Sequence, residues 1–358
     1  MKDVILYGAG SDLQNILPMI KANGWQPKCI VDSDIRKVGR FVQGIPIVSA
    51  KSITDYNSRI IIITASFFDS IHEKIKEVLS DKYKEYTILV SPYVWLMLVN
   101  IEYDGNLLAS AADFINVHKE SILKIYDCND KITKEILNFV LDARIDKAYR
   151  FYEYQKISGL QYVEGYFYEN ELKYIGMGFT FIDIGAYIGD TYEMMTSMYK
   201  DVMVRYYAYE PSTDNYKLLS DRLIGSSEKN IVCKVQCRNC ALGRINGMIN
   251  MGKSGGEFGV VEEPSSVDCE MVKVVRLDDE DISVSGKLVI KMDVEGAEMD
   301  VLKGAVQTIN KYRPIMAICV YHKYQDIYEL PKFIIDMGLN YRFVLRSGIH
   351  THLIAFPN

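Results

Sequence analysis

No run of basic residues interrupts this chain of 358 residues, in which 41 Lys and Arg stand against 47 Asp and Glu. A large nucleic-acid footprint needs a concentrated positive face, so nucleic acid is not expected as a partner. A run long enough to cross a bilayer is also missing. The most apolar later stretch, TILVSPYVWLMLVNIEY (87–103), is broken by Ser91-Pro92 and falls short of a span. It reads as a buried or subunit-facing element, and the second option would make the chain a homo-oligomer. The opening MKDVILYGAG enters a glycine turn too soon to be a signal peptide, which points to the cytosol. Seven cysteines, an odd number, do not suggest a disulfide framework. Cys233, Cys237 and Cys240 stand close together in CKVQCRNCALG. No second Cys/His pair at zinc-finger spacing accompanies them, so the stretch reads as a strand entering a turn.

What is present is the composition of a globular protein, 49% hydrophobic and long enough for two domains. In residues 1–92, DVILYG, PKCIVD, RIIIITA and YTILVS read as strands, with helical patterns after the first and third. That makes a small, Rossmann-like parallel α/β unit. Residues 93–160 change character. NLLASAADFINVHKESILKIY and ITKEILNFVLDARIDKAYRFYEY place apolar residues at helical spacing, which predicts a helical connector. Strand–helix alternation resumes in 161–358, so the predicted class is α/β throughout.

Four strand ends in the last segment carry polar groups, and strand ends are where open α/β sheets bind ligands. FTFIDIGAYIGDT (179–191) is a strand reaching Asp183, then Gly185, Ala186, Tyr187 and Gly189, then a helix that Asp190 or Thr191 can cap. Small residues let the backbone approach a ligand. An acid two residues before the first glycine suits a positively charged ligand, such as the amino group and sulfonium of S-adenosylmethionine, better than a diphosphate. VRYYAYEP ends in Glu210 and Pro211, 27 residues beyond Asp183. One strand–helix–strand unit spans about that length, so Glu210 should sit at the neighbouring tip, where it can accept from both ribose hydroxyls. At a third tip, CRNCALG offers Asn239 and the backbone of Cys240 and Ala241 to an adenine edge, or is an ordinary turn.

The fourth end, in KLVIKMDVEGAEMDVLKGA, sets Lys291, Asp293 and Glu295 just past an apolar strand. Lys291 shares the face of Asp293 and can hold an acid ionised. Glu295 points the same way if the chain stays extended, and Gly296 permits the turn that follows. Glu298 and Asp300 fall in the first helical turns and read as structural, favoured by the helix dipole. PIMAICVYH brings His322 to the end of a fifth strand, beside Asp293. Asp293, Glu295 and His322 are therefore candidates to position and deprotonate an acceptor hydroxyl. The same three suit a divalent metal such as magnesium or manganese, a reading not favoured over proton transfer. His350 and His352 read as structural or substrate-side.

FIDIGAYIGDT, YAYEP, NCALG, VVRLDD and VIKMDVEGAEMDVLKGA, in this order and spacing, resemble the FkbM family of S-adenosylmethionine-dependent methyltransferases over residues 162–357. The resemblance implies a Rossmann-like seven-stranded sheet and O-methylation, usually of a sugar or other hydroxyl. It also implies that Asp183, Gly185 and Glu210 bind the cofactor, with Asn239 to Ala241 at its adenine. Tyr187 departs from the pattern, which has glycine or Asn there. A ring at that position would narrow or gate the methionine pocket.

In the first segment, Gly8 and Gly10 follow a strand, Leu13 replaces the third glycine of a dinucleotide fingerprint, and Asp32 ends CIVD. Residues 3–80 resemble the N-terminal domain of PglD-like sugar acyltransferases, which implies a nucleotide-sugar site. Arg36, Lys37 and Arg40 then meet phosphates or form a solvated face. The alternative is a scaffold that only dimerises or docks. The leading expectation is a cytosolic O-methyltransferase of a sugar or glycan, possibly nucleotide-linked, in surface-polysaccharide or glycoconjugate synthesis. Its rivals are a nucleotide-sugar oxidoreductase or epimerase, for which no Tyr-x-x-x-Lys pair is evident, and a non-catalytic assembly protein.

Overall fold

The computed structural model describes residues 2–10, 13–22, 24–65, 68–90, 105–127, 129–145, 149–150, 174–176, 178–199, 202–227, 233–254, 257–260, 269–346 and 351–358. The chain divides into two compact units, Met1–Lys119 with Leu137–Leu160, and Glu120–Ile136 with Gln161–Asn358.

The first unit is built on seven strands: β1 (Lys2–Tyr7), β2 (Trp25–Val31), β3 (Phe41–Val42), β4 (Ile45–Val48), β5 (Ile60–Ile63), β6 (Thr87–Val90) and β7 (Tyr149–Arg150). Their order is β3-β4-β2-β1-β5-β6-β7. The five central strands are parallel. Continuous apolar runs such as Ile60–Ile63 suit strands covered on both faces, and Ile61, Ile62 and Ile63 are buried. Helices α1 (Leu13–Ala22) and α2 (Phe68–Leu79) follow β1 and β5. Gly8 has a φ of 123°, and a Cβ there would come within 2.7 Å of the Ala65 Cβ. Packing against the β5 end thus already demands a glycine.

The expected connector contains α3 (Gly105–Ile125) and α4 (Lys131–Ile145), but it is not a body of its own. Ile115, Leu137, Val140 and Leu141 are buried in the part assigned to the first unit, and Ile122 and Ile136 in the part assigned to the second. Each unit gains more from the apolar stripe of these helices than a solvated linker would. The short β7, which sequence pattern did not reveal, pairs antiparallel with β6. Residues 91–103 of the apolar stretch lie outside the described residues. No described helix is long and apolar enough to cross a membrane.

The second unit contains β8 (Phe179–Ile184), β9 (Met203–Tyr209), β10 (Lys234–Arg238), β11 (Ala241–Leu242), β12 (Gly247–Ser254), β13 (Glu257–Val260), β14 (Cys269–Val275), β15 (Leu288–Met292), β16 (Ile315–Cys319), β17 (Tyr341–Arg346) and β18 (His352–Pro357). Its helices are α5 (Asp190–Tyr199), α6 (Thr213–Ser227), α7 (Glu298–Gly304), α8 (Val306–Tyr312) and α9 (Asp326–Asp336). Seven strands form one sheet in the order β10-β9-β8-β15-β16-β18-β17, with β18 antiparallel to both neighbours. The chain builds outward from β8 through β9 and β10, then returns to the other side of β8 as β15. The reversal between β8 and β15 is the topological switch point, and ligands of such sheets bind beyond the carboxyl ends of those strands. The core on one face joins Phe181, Tyr192, Tyr206 and Val289, with the Phe181 and Tyr206 rings stacked at 5.6 Å. A second sheet, β11-β14-β12-β13, was not foreseen; Ala241 belongs to its first strand.

Candidate active site

The tips of β8, β9, β15 and β16 assemble the candidate residues. Asp183 is fully enclosed: one carboxylate oxygen lies 3.1 Å from Lys291 Nζ and the other accepts the Tyr206 hydroxyl. Register pairs Asp183 with Lys291 across β8 and β15, so their side chains share one face of the sheet. The positive charge expected beside Asp183 is thus an internal ammonium. Lys291 also donates to the Gly185 carbonyl at 2.5 Å, tying the glycine turn to β15. Its direct partner is Asp183 on the neighbouring strand rather than an acid of its own. Burial opposes charge on Lys291, but Asp183 and Asp293 outweigh it and raise its pKa. Burial raises Asp183 above the ordinary carboxylate range, against the pull of Lys291 and Tyr206.

Gly185 is required for a reason other than ligand approach. Its φ is 76°, and a Cβ would fall 1.8 Å from the Asp293 carbonyl oxygen. The glycine lets the β8 and β15 ends touch, and Asp293 N–H donates to the Ile184 carbonyl beside it. Gly189 likewise faces protein, with Leu219 at 3.1 Å from its ideal Cβ position. Ala186 is buried and donates to the Tyr209 carbonyl. Tyr187 has a φ of 48° and is 54% exposed, so its ring stands out from the turn. Asp190 is exposed and Thr191 buried at the start of α5.

At the β9 tip, Glu210 accepts the N–H of Tyr187 and of Ser212, each at 2.9 Å. One carboxylate thereby ties the β8 turn to the β9 end. Burial pushes this acid up to about 7, against the hydrogen bonds from Ser212 and Tyr187. Asn239 donates its amide to the carbonyls of Glu210 and Pro211, at 3.0 and 2.9 Å. Its amide nitrogen is thus engaged in holding the β9 tip. Cys240 is buried, and desolvation pushes its thiol up to about 11.

Beyond β15 and β16, Asp293, Glu295 and His322 converge. His322 Nε2 lies 3.4 Å from Asp293 Oδ1 and 3.3 Å from Glu295 Oε2. The chain is not extended at Glu295. A φ of 52° there and 89° at Gly296 turns it back toward the imidazole. That left-handed residue costs about 1–3 kcal/mol, held by its surroundings. Glu298 is the main correction: it is wholly buried, and its Oε1 pairs with His322 Nδ1 at 2.8 Å and accepts the Val294 N–H at 3.2 Å. Its place in the first turn of α7 made it read as a dipole partner, whereas tertiary packing points it inward. Asp300 remains at the surface, 4.0 Å from Arg244. Tyr321, also missed, donates its hydroxyl to Asp293 at 3.1 Å; adjacency to His322 was the available signal.

Burial disfavours charge on His322, but Glu298, Glu295 and Asp293 overcome it and hold the imidazolium up to about 11. Burial would likewise raise Asp293, yet Lys291, His322 and His352 hold it down to about 2. With its proton so held, His322 anchors the two carboxylates. His352 is buried on β18, its ring edge-on to Tyr321 at 6.4 Å; His350 lies outside the described residues.

In the first unit, Asp32 Oδ2 accepts the Ala9 N–H at 2.8 Å, and Lys37 reaches both that oxygen and the Ala9 carbonyl, at 3.2 and 2.8 Å. Asp32 and Lys37 therefore brace the Gly8–Gly10 turn. Arg36 pairs with Asp34 at 2.7 Å on the surface, and Arg40 is exposed. Among the described cysteines, Cys29, Cys233, Cys237, Cys240 and Cys319 form no disulfide.

No curated protein matches the chain. The crystal structure of a methyltransferase FkbM from Methylobacillus flagellatus KT is similar with a TM-score of 0.68 at 18% identity, over 99% of this chain and 90% of that one. That likeness shows the shared Rossmann-like methyltransferase fold. A SAM-dependent methyltransferase from Aquifex aeolicus has a TM-score of 0.31 at 13% identity, over 52% of this chain and 87% of that one. UDP-D-quinovosamine 4-dehydrogenase from Vibrio fischeri has 0.22 at 24%, over 25% and 78%. At such scores neither bears on the argument. Residues 1–86 match the family described as C2185-like, N-terminal, and the resemblance to PglD-like domains is not confirmed. Residues 183–345, which hold every strand-tip residue described above for the second unit, match the family model described as the methyltransferase FkbM domain.

Proposed function

We propose that the chain is an S-adenosylmethionine-dependent O-methyltransferase whose acceptor is a sugar or glycan hydroxyl, in surface-polysaccharide or glycoconjugate synthesis. The observation that carries this is the placement of Glu210 at the β9 tip and of Asp293 and Glu295 beyond β15, on the two sides of β8 and along one sheet edge. The donor set fits the cofactor. Glu210 gives one acceptor bond per oxygen to backbone N–H groups, which leaves lone pairs on both for ribose hydroxyls. Exposed Tyr187 stands beside it.

When bound, the cofactor supplies a methyl carbon activated by its sulfonium. Asp293 and Glu295 then have two tasks: to hold the acceptor oxygen in line, which accounts for much of such a rate, and to accept its proton. His322 and Tyr321 keep Asp293 in place for this. Paired carboxylates suit a carbohydrate, since neighbouring hydroxyls each donate one bond. The first unit, on this reading, holds a nucleotide-sugar or related phosphate compound at the Gly8–Gly10 turn braced by Asp32.

Incubation of the full chain with labelled donor and a panel of nucleotide-sugars and glycans should yield a product heavier by one methyl; no transfer to any hydroxyl compound would defeat the acceptor assignment. Glu210→Ala should weaken donor binding by about 1.5–3 kcal/mol, the range for hydrogen bonds to a charged group. Burial pushes the Glu210 carboxyl up to about 7. Its raised pKa means the neutral form is favoured below that pH, and stability from this group is lost as pH rises through it. Donor binding by the ionised form should therefore tighten between pH 6 and 8 in calorimetry. Glu210→Gln should flatten that profile, and an unchanged pH dependence in the Gln variant would remove Glu210 from the donor site.

A further inference from the structure

We infer that Asp293, Glu295 and His322 form a site for one divalent cation of the magnesium–manganese class. One oxygen from each carboxylate and one imidazole nitrogen all lie within 4.8 Å of one another. Nε2 is 3.4 Å from the Asp293 oxygen and 3.3 Å from the Glu295 oxygen. A cation with bonds of about 2.1 Å sets neighbouring ligand atoms about 3.0–3.4 Å apart, and Nε2 already stands at that spacing from each carboxylate oxygen.

The second observation concerns the imidazole. His322 is 7% exposed, and its buried Nε2 stands 3.3–3.4 Å from both carboxylates without a well-aligned hydrogen bond to either. The other ring nitrogen is fixed by buried Glu298 at 2.8 Å. A histidine held at one nitrogen by a carboxylate, with the other turned to an open position, is the arrangement that orients metal-binding imidazoles. The cation takes the place of the Nε2 proton. Two carboxylates balance a double positive charge, and an oxygen-rich set without thiolate favours magnesium or manganese. Glu295, exposed, leaves the cluster open to solvent. On the transferase reading, and only there, a remaining coordination position would bind the acceptor hydroxyl oxygen.

The test uses the full chain, stripped with EDTA and desalted, then titrated with Mn2+ while free Mn2+ is followed by electron paramagnetic resonance. One equivalent per chain is expected, displaced by excess Mg2+. Glu295→Gln, at an exposed position, and His322→Gln should each lose at least tenfold in affinity while keeping the wild-type circular dichroism. Asp300→Asn, at a surface position outside the cluster, should bind Mn2+ as wild type does. No binding at millimolar Mn2+, or wild-type affinity in both cluster variants, would overturn the site. Calorimetry with S-adenosylmethionine on the same stripped protein separates the two readings. Donor binding without Mn2+ binding removes the cation and leaves the transferase, and Mn2+ binding without donor binding does the reverse.

Discussion

Asp293→Asn, Glu295→Gln and His322→Ala should leave donor affinity within a few-fold of wild type, while turnover falls by about 10²-fold or more in at least one of them, as loss of a general base does. The separation follows from position. Glu210 and the β8 turn lie on one side of the switch point, the cluster on the other, so on the proposed reading a change beyond β15 should remove acceptor contacts and spare donor contacts. Glu295→Gln is the cleanest of the three, because its side chain is about one-third exposed and its replacement is isosteric. His322→Ala also strands Glu298, a fully buried carboxylate, so its melting curve must be compared with the others. Full turnover in all three would reject the cluster as the acceptor site. Activity that chelation abolishes and Mn2+ restores would assign the carboxylates to the cation.

Lys291→Met should destabilise the fold by about 3–5 kcal/mol, the cost of removing one partner of a buried ion pair. The ammonium is enclosed, 3.1 Å from Asp183 and 2.5 Å from the Gly185 carbonyl. The loss should be larger at pH 8 than at pH 5. Asp183 is an acid whose pKa burial raises, so without Lys291 it will take a proton as pH falls and shed the unpaired charge. The double variant Asp183→Asn, Lys291→Met should recover part of the stability, since the isolated charge is then gone. Urea unfolding at the two pH values checks this. A single variant as stable as wild type at pH 8 would show that the pair is not ionised.

Much of the fold was legible along the chain because its signals are local. Runs such as FTFIDI, LVIKM and IMAIC read as fully covered strands, and all three are buried throughout. The alternation of strand and helix predicted an α/β unit, the resemblance implied its seven-stranded sheet, and the 27 residues from Asp183 to Glu210 placed them on adjacent strands. Asp293, Glu295 and His322 could be grouped because each follows a strand end on the same edge.

What the chain alone did not determine is which polar groups turn to a ligand and which to one another. Asp183 and Lys291 are over a hundred positions apart in sequence, and only the register of β8 against β15 makes them partners. Gly185 looks like a ligand-facing glycine until the Asp293 carbonyl is found against it. Glu298 has the same local surroundings as any acid in a first helical turn. Its burial against His322 arises from how α7 packs over the β16 end, and local pattern carries no record of that. Backbone periodicity is a property of neighbours along the chain, so sequence determined the elements and their order. The partners of buried charges depend on strand register and helix packing, so only the tertiary structure decided them.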